Sequence, residues 1–222
     1  LGSTITQRIV VYANMPRIDF ETEVDWQERQ TLLKVAFPVA VHSPRATYEI
    51  QYGNVERPTH WNTSWDWARF ETCAHKWADL SEGGYGVSLL NDCKYGHDIR
   101  GHTMRLTLLK SPLLPDPKAD AGHHEFTSSL YPHQGDWRLG TIPAAYELNV
   151  PLLAAVKGNT GGSLPASHAL VQVEGEGVIV EAVKMAEDSD ELVVRAYECH
   201  NHRGPVKLRC GLPVREAWGC NL

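Results

Sequence analysis

The densest group of chemistry-bearing side chains is the segment "NDCKYGHDIRG", which places Asn91, Asp92, Lys94, Tyr95, His97, Asp98 and Arg100 within one short stretch. A carboxylate acceptor beside a guanidinium donor can hydrogen-bond sugar hydroxyls from both sides. The stretch follows the apolar run "YGVSLL" and precedes "MRLTLL". It therefore reads as a polar connection between two strands, where binding groups tend to sit. A solvated hairpin with local ion pairs, worth about 0–1 kcal/mol each, fits the same residues. On residue types alone both readings stay open.

A second concentration is aromatic. The segment "HWNTSWDWARFETCAHKWADL" holds Trp61, Trp65, Trp67 and Trp77, four of the seven tryptophans. Indole rings either stack on a flat ligand or supply core area. Trp65 and Trp67 stand two apart and share one side of an extended chain, with Trp77 in the following strand. That spacing favours packing, between sheets or against another part of the molecule, over a stacking platform.

Eleven histidines and five cysteines invite a metal. Cys93, His97 and His102 lie close together, as do Cys199, His200 and His202, yet neither group pairs with a second half-site of zinc-ligand spacing. Solvated loop histidines, including His123 and His124, are the expectation. No Gly-x-Ser-x-Gly elbow is present, and the glycine pairs of "GEG" and "GNTGG" precede no helix that could hold a phosphate. Asp19, Glu21, Glu23 and Asp25 read as an exposed strand face. No nucleophile and no metal ligand is assigned.

The elements positioning these groups read as strands. "IDFETEVDW" alternates Ile18, Phe20, Thr22, Val24 and Trp26 with acidic residues, so one face is buried and one is wet. Leu32–Val41 reads as a buried strand in which Pro38 implies an edge or a bulge. "ATYEIQY" alternates through Ala46, Tyr48, Ile50 and Tyr52. Further strands are expected at Phe70–Leu80, Tyr85–Leu90 and Thr103–Leu109, with Gly83-Gly84 as the hairpin between the first two. "TIPAAYELN" carries the one helix signal, with Thr141 as N-cap, Pro143 in the first turn and Pro151 closing it. Ser111–His124 reads as a long loop and Lys157–Ser167 as a linker. Beyond it, "HALVQV", "VIVEAVKMA", "LVVRAYE" and "VKLRC" alternate with turn clusters, the spacing of a small antiparallel sandwich. The expected layout is a large β domain over 1–157 and a small one over 165–222.

Lys and Arg total 21 against 27 Asp and Glu, a net charge of −6 with the signs interspersed. No basic stripe exists for a nucleic-acid backbone. Apolar runs stop at four or five residues, far below the roughly 18 that span a bilayer. Five scattered cysteines without a C-x-x-C pair disfavour a disulfide framework, so a cytoplasmic setting is expected. The sequon at Asn62 carries no meaning there. The chain starts at Leu1, is strand-like by Ile9–Tyr12 and stops at Asn221-Leu222 without a polar tail, and so reads as a piece of a longer protein.

The run from "VDWQERQTLLKVAFPVAVHSPRATYEIQYGNVERPTHWNTSWDWARFE" through "HKWADLSEGGYGVSLLNDCKYGHDIRG" to "AAYELNVPL" resembles the C-terminal β-region of the α-mannosidases of glycoside hydrolase family 38, in their cytosolic and bacterial branch. The likeness is strong over Phe20–Leu153 and weaker over Ala169–Cys210, which resembles the family's small terminal β domain. It implies an all-β fold, a galactose-mutarotase-like supersandwich followed by a small antiparallel β-sandwich. It further implies a retaining exo-α-mannosidase as the parent, with two carboxylates acting through a covalent glycosyl intermediate. One divalent metal, zinc or cobalt, would be held with those carboxylates by the catalytic N-terminal half. This chain would then bind no cofactor and be inert alone. Its partners would be that half and a mannose-containing oligosaccharide, with homo-oligomerisation left open. Arg100 and Asp98 are the positions the resemblance puts at the rim of the sugar site, followed by Asn91, Asp92 and Tyr95. Two alternatives stand beside this one: a free-standing carbohydrate-binding β-sandwich with the tryptophans as platform, and an aldose epimerase that shares only the fold.

Overall fold

The computed structural model describes residues 2–156, 158, 161, 163 and 165–220. Lys157, Asn159, Thr160, Gly162 and Leu164 of the expected linker lie outside the described residues, as do Leu1, Asn221 and Leu222. The chain forms two compact units, Leu1–Leu152 and Leu153–Leu222.

In the first unit eleven strands follow one another: β1 Thr4–Tyr12, β2 Met15–Trp26, β3 Leu32–Pro38, β4 Arg45–Ile50, β5 Gly53–Pro58, β6 Thr72–Cys73, β7 Trp77–Glu82, β8 Tyr85–Asn91, β9 Gly96–Arg100, β10 Thr103–Lys110 and β11 Gly122–Gln134. A four-residue helix α1, Ser64–Trp67, interrupts the run between β5 and β6, and α2, Thr141–Asn149, closes it. The strands form a seven-stranded sheet in the order β1-β2-β11-β8-β7-β4-β5 and a four-stranded sheet in the order β3-β10-β9-β6, every pairing antiparallel. Val24, Trp26, Tyr48, Leu80, Leu89 and Phe126 from the first sheet pack with Ile99, Met104, Leu106 and Leu108 from the second into one core. The all-β class expected from the sequence is the one observed.

Alternation along β2 holds, with Val24 and Trp26 buried toward the second sheet and Phe20 packed on Phe37. Its acidic row is only half wet. Glu23 and Asp25 are exposed, whereas Asp19 is 3% exposed, bonded by Arg17 and by Ser129. The reason is α2: Arg17 donates to the Ala144 carbonyl, so the helix covers that end of the outer face. Beneath it Trp77 packs on Trp137, the rings tilted with centroids 4.9 Å apart.

Other departures have local causes. Pro38 ends β3, which is an edge strand as its proline requires, but the strand is only partly buried because one side lacks a neighbour. Thr141 is the first residue of α2 and Gly140 its N-cap, with no side-chain cap bond. His123 and His124 belong to β11 rather than to a loop, and β11, the longest strand, was not read from the sequence at all. Phe70–Leu80 splits into β6 and β7 in different sheets.

In the second unit β12 Val171–Glu174 pairs with β15 Lys207–Cys210, and β13 Val178–Met185 with β14 Leu192–Glu198. These are the four strands expected from its turn spacing, arranged as two antiparallel two-stranded sheets.

Candidate functional site

The polar stretch Asn91–Gly101 is not one loop. Asn91 closes β8, residues 92–95 make the bend, and His97, Asp98 and Arg100 lie on β9. This divides the candidate residues. Asn91 is fully buried; its amide donates to the His75 carbonyl at 2.8 Å, its Oδ1 accepts from Lys94 N, and its carbonyl accepts from Asn149. Asp92 accepts from the Thr127 amide at 2.9 Å. These two residues hold the bend to β11 and α2. Tyr95 is exposed and its ring meets His75 edge-on at 5.6 Å.

Asp98 and Arg100 are together elsewhere, in a cleft lined by residues of β4, β5, β6 and β9 and by the segment 59–69. Arg100 Nε donates to Asp98 Oδ1 at 2.8 Å, and Lys34 and Arg105 approach the same carboxylate at 3.9 and 3.5 Å. The Arg100 guanidinium lies 3.0 Å from the centroid of the Trp61 ring. Arg57, on β5, stacks over the Tyr48 ring at 4.6 Å. Each flat guanidinium is thus clamped by an aromatic face, which leaves its N–H fork pre-aimed.

The segment 59–71 is ordered by its own side chains. Thr63 and Asp66 form a reciprocal capping box on α1, so the Thr of the sequon serves as a helix cap. Asp66 also faces His60 at 3.8 Å and Arg69 at 3.9 Å. The helical turn overturns the expectation for Trp65 and Trp67: they do not share one side of a strand. Trp61, Trp65, Trp67 and Phe70 are all exposed, and only Trp77 of the cluster is buried. Trp67 packs on Trp61 at 5.4 Å and on Phe70 at 6.2 Å. Three of the four tryptophans therefore do not fill the space between the sheets.

Tyr48 and His97, both buried, make the floor of the cleft. Burial pushes the Tyr48 phenol up to about 12. Burial, with the charge of Arg57 adding to it, pushes His97 down to about 3, so the imidazole is neutral at physiological pH. Arg57 is itself lowered, first by burial and further by the like charge of Arg69, and it still carries its proton. Arg57, Tyr48, Asp66 and Arg69 were not singled out from the sequence. For Arg57, Asp66 and Arg69 the only signal was the scatter of charges among and beside the tryptophans in "VERPTHWNTSWDWARF". Among the described residues no group of three or more His, Cys, Asp or Glu could hold a metal ion.

Residues 1–118 match the model of the glycosyl hydrolases family 38 C-terminal domain, and residues 177–222 match that of the glycosyl hydrolases family 38 C-terminal beta sandwich domain. The chain is 48% identical to alpha-mannosidase 2C1 of Homo sapiens across all of its own length and 21% of the relative's. It is 42% identical to the alpha-mannosidase of Saccharomyces cerevisiae, with 85% of this chain and 19% of the relative covered. The chain thus spans about a fifth of the length of the curated relatives it matches. The crystal structure of an alpha-mannosidase from Enterococcus faecalis shares the fold, with a TM-score of 0.83 at 22% identity over 93% of this chain and 24% of that one.

Proposed function

The chain belongs to the glycosyl hydrolases family 38 C-terminal domain family, and from that premise we propose that it is the β part of a retaining exo-α-mannosidase that removes terminal α-mannose from oligosaccharides. The observation that carries this reading is identity of 42–48% with proteins named alpha-mannosidases. The match to the human relative runs the full length of the chain.

In this reading the catalytic carboxylates belong to a catalytic half outside these 222 residues, on which the β part packs. The parent family's divalent metal, zinc or cobalt, would activate the sugar's hydroxyls there. The residues present here do not fit such a metal, since no ligand cluster exists among those described. The contribution of this chain is to binding. Arg100, held by Asp98 and Trp61, presents N–H donors to a sugar oxygen at the rim of the site. The isolated chain is inert. Five free cysteines support a cytoplasmic setting.

The test joins two assays. Arg100→Ala in the parent enzyme should lower kcat/KM on an aryl α-mannoside roughly 10-fold or more, the loss of one charge-assisted hydrogen bond. Metal-dependent turnover by the isolated 222-residue chain would refute its inertness.

Exposure of Trp61, Trp65, Trp67 and Phe70 supports a second reading, a free-standing carbohydrate-binding module using that patch as platform. Saturable quenching of tryptophan fluorescence by mannosides in the isolated chain would favour it. A flat response at millimolar sugar would remove it.

A further inference from the structure

The cleft that contains Arg100 holds more positive charge than its own carboxylates neutralise. Three guanidinium groups line it, Arg57, Arg69 and Arg100, against the two carboxylates Asp66 and Asp98. Both carboxylates are already engaged. Asp98 is shared by Arg100, Arg105 and Lys34, and Asp66 caps α1 while facing His60 and Arg69. Arg57 is left without an ion pair among the described residues, although the chain as a whole is acidic at −6. Arg57 is half-buried, and a charge partly withdrawn from water without a counter-charge carries a desolvation cost, so the site suits a ligand that supplies one.

The hydrogen-bonding capacity points the same way. Nη1 of Arg57 and Nη1 of Arg100 are both buried and have no partner. His97, fully buried at the floor of the same cleft, has neither ring nitrogen bonded. Two clamped guanidinium forks with spare N–H donors, together with a neutral imidazole, form a set of donors that lacks an acceptor. The cleft has a volume of about 30 Å³ and opens to solvent, which suits a single small oxyanion group rather than a larger ligand.

We propose that this cleft binds a small oxyanion, a carboxylate or phosphate group held between Arg57 and Arg100 with His97 at its floor. Neither the resemblance nor the mannosidase reading requires an anion there. The inference stands on the cleft itself and survives if that reading fails.

The test is calorimetric titration of the 222-residue chain with inorganic phosphate and, separately, with glycerate, in chloride buffer at fixed ionic strength. Saturable binding of either anion at one site per chain, weakened at least 10-fold in Arg57→Gln and unchanged in Arg8→Gln, supports the proposal. Which anion saturates tells a phosphate ligand from a carboxylate one. Absence of saturation with both, or equal affinity in Arg57→Gln, overturns it. Should Arg57→Gln not fold, as judged by circular dichroism, Arg100→Lys decides. It keeps the charge and removes the planar fork, so an affinity loss of at least threefold supports the site and unchanged affinity overturns it. Because no hydrolysis is measured, these outcomes are independent of the mannosidase assays above.

Discussion

The Arg100 guanidinium sits over the Trp61 ring, 3.0 Å from its centroid, while its Nε donates to Asp98 at 2.8 Å. One side chain is thereby fixed by a ring from the segment 59–71 and by a carboxylate from its own strand. Trp61 is 45% exposed, so its removal uncovers the guanidinium without opening the core. Trp61→Ala is expected to cost about 0.5–2 kcal/mol, the range of a cation–π contact. Urea denaturation measures it, and a loss above about 3 kcal/mol would mean that the ring is a core element after all.

The tryptophans should divide sharply by position. Trp77, 1% exposed beneath α2, is expected to lose about 3–5 kcal/mol on conversion to Ala. Trp65→Ala and Trp67→Ala, on an exposed helical turn, should stay within about 0.5–1 kcal/mol of the parent. Comparable losses at all three positions would contradict the placement of α1.

The acidic residues of β2 give a similar contrast. Asp19→Ala strands the Arg17 guanidinium, 7% exposed, and is expected to cost about 3–5 kcal/mol, the penalty for breaking a buried pair on one side. Glu23→Ala, on the same strand but in solvent, should be neutral within about 0.5 kcal/mol. Chemical denaturation of the two variants side by side decides whether α2 covers Asp19.

His97 predicts a pH dependence with a definite sign. Its folded-state value of about 3 lies below the unfolded 6.5, so the unfolded chain binds the proton first. Stability is therefore lost as pH falls through 6.5 and continues to fall toward 3, by up to about 1.4 kcal/mol per pH unit from this group. Between pH 7 and 5, where most carboxylates do not yet titrate, His97→Leu should flatten the profile by up to one proton. An unchanged slope would place the pH sensitivity elsewhere.

A buried polar hub makes the last prediction. Asp79, 1% exposed, accepts from Ser81 and Ser88 and pairs with His133 at 2.8 Å, while Ser88 also meets Thr141 at 2.6 Å. Asp79→Ala removes the shared acceptor for three groups under α2 and is expected to cost about 3–5 kcal/mol. Hydrogen exchange should show α2 loosening before the four-stranded sheet does; a uniform change would argue against a local hub.

Much of this molecule follows from short-range pattern. Ile18–Trp26 alternates because a pleated strand alternates, and the Gly83-Gly84 hairpin joins β7 to β8 as its residues dictate. Strand type, antiparallel class and the four strands of the second unit are all set by period and turn chemistry within a few residues. What lay beyond the sequence is what depends on a neighbour far along the chain. Asp19 reads as wet until α2, more than a hundred residues on, covers it. β11 mixes Ser, His and Phe in a pattern too weak to announce a strand, yet it becomes a central one because β2 and β8 pair on both its sides. Trp65 and Trp67 lost their expected common face to a capping box that turns four residues into a helix. Asp98 and Arg100 were singled out together by the family resemblance, whereas Arg57, His97 and Trp61 could join them only through sheet pairing and packing. Burial, unlike period, is a property of the whole fold: the residue types determined which groups could do chemistry, and the tertiary structure decided which were brought together and left without partners.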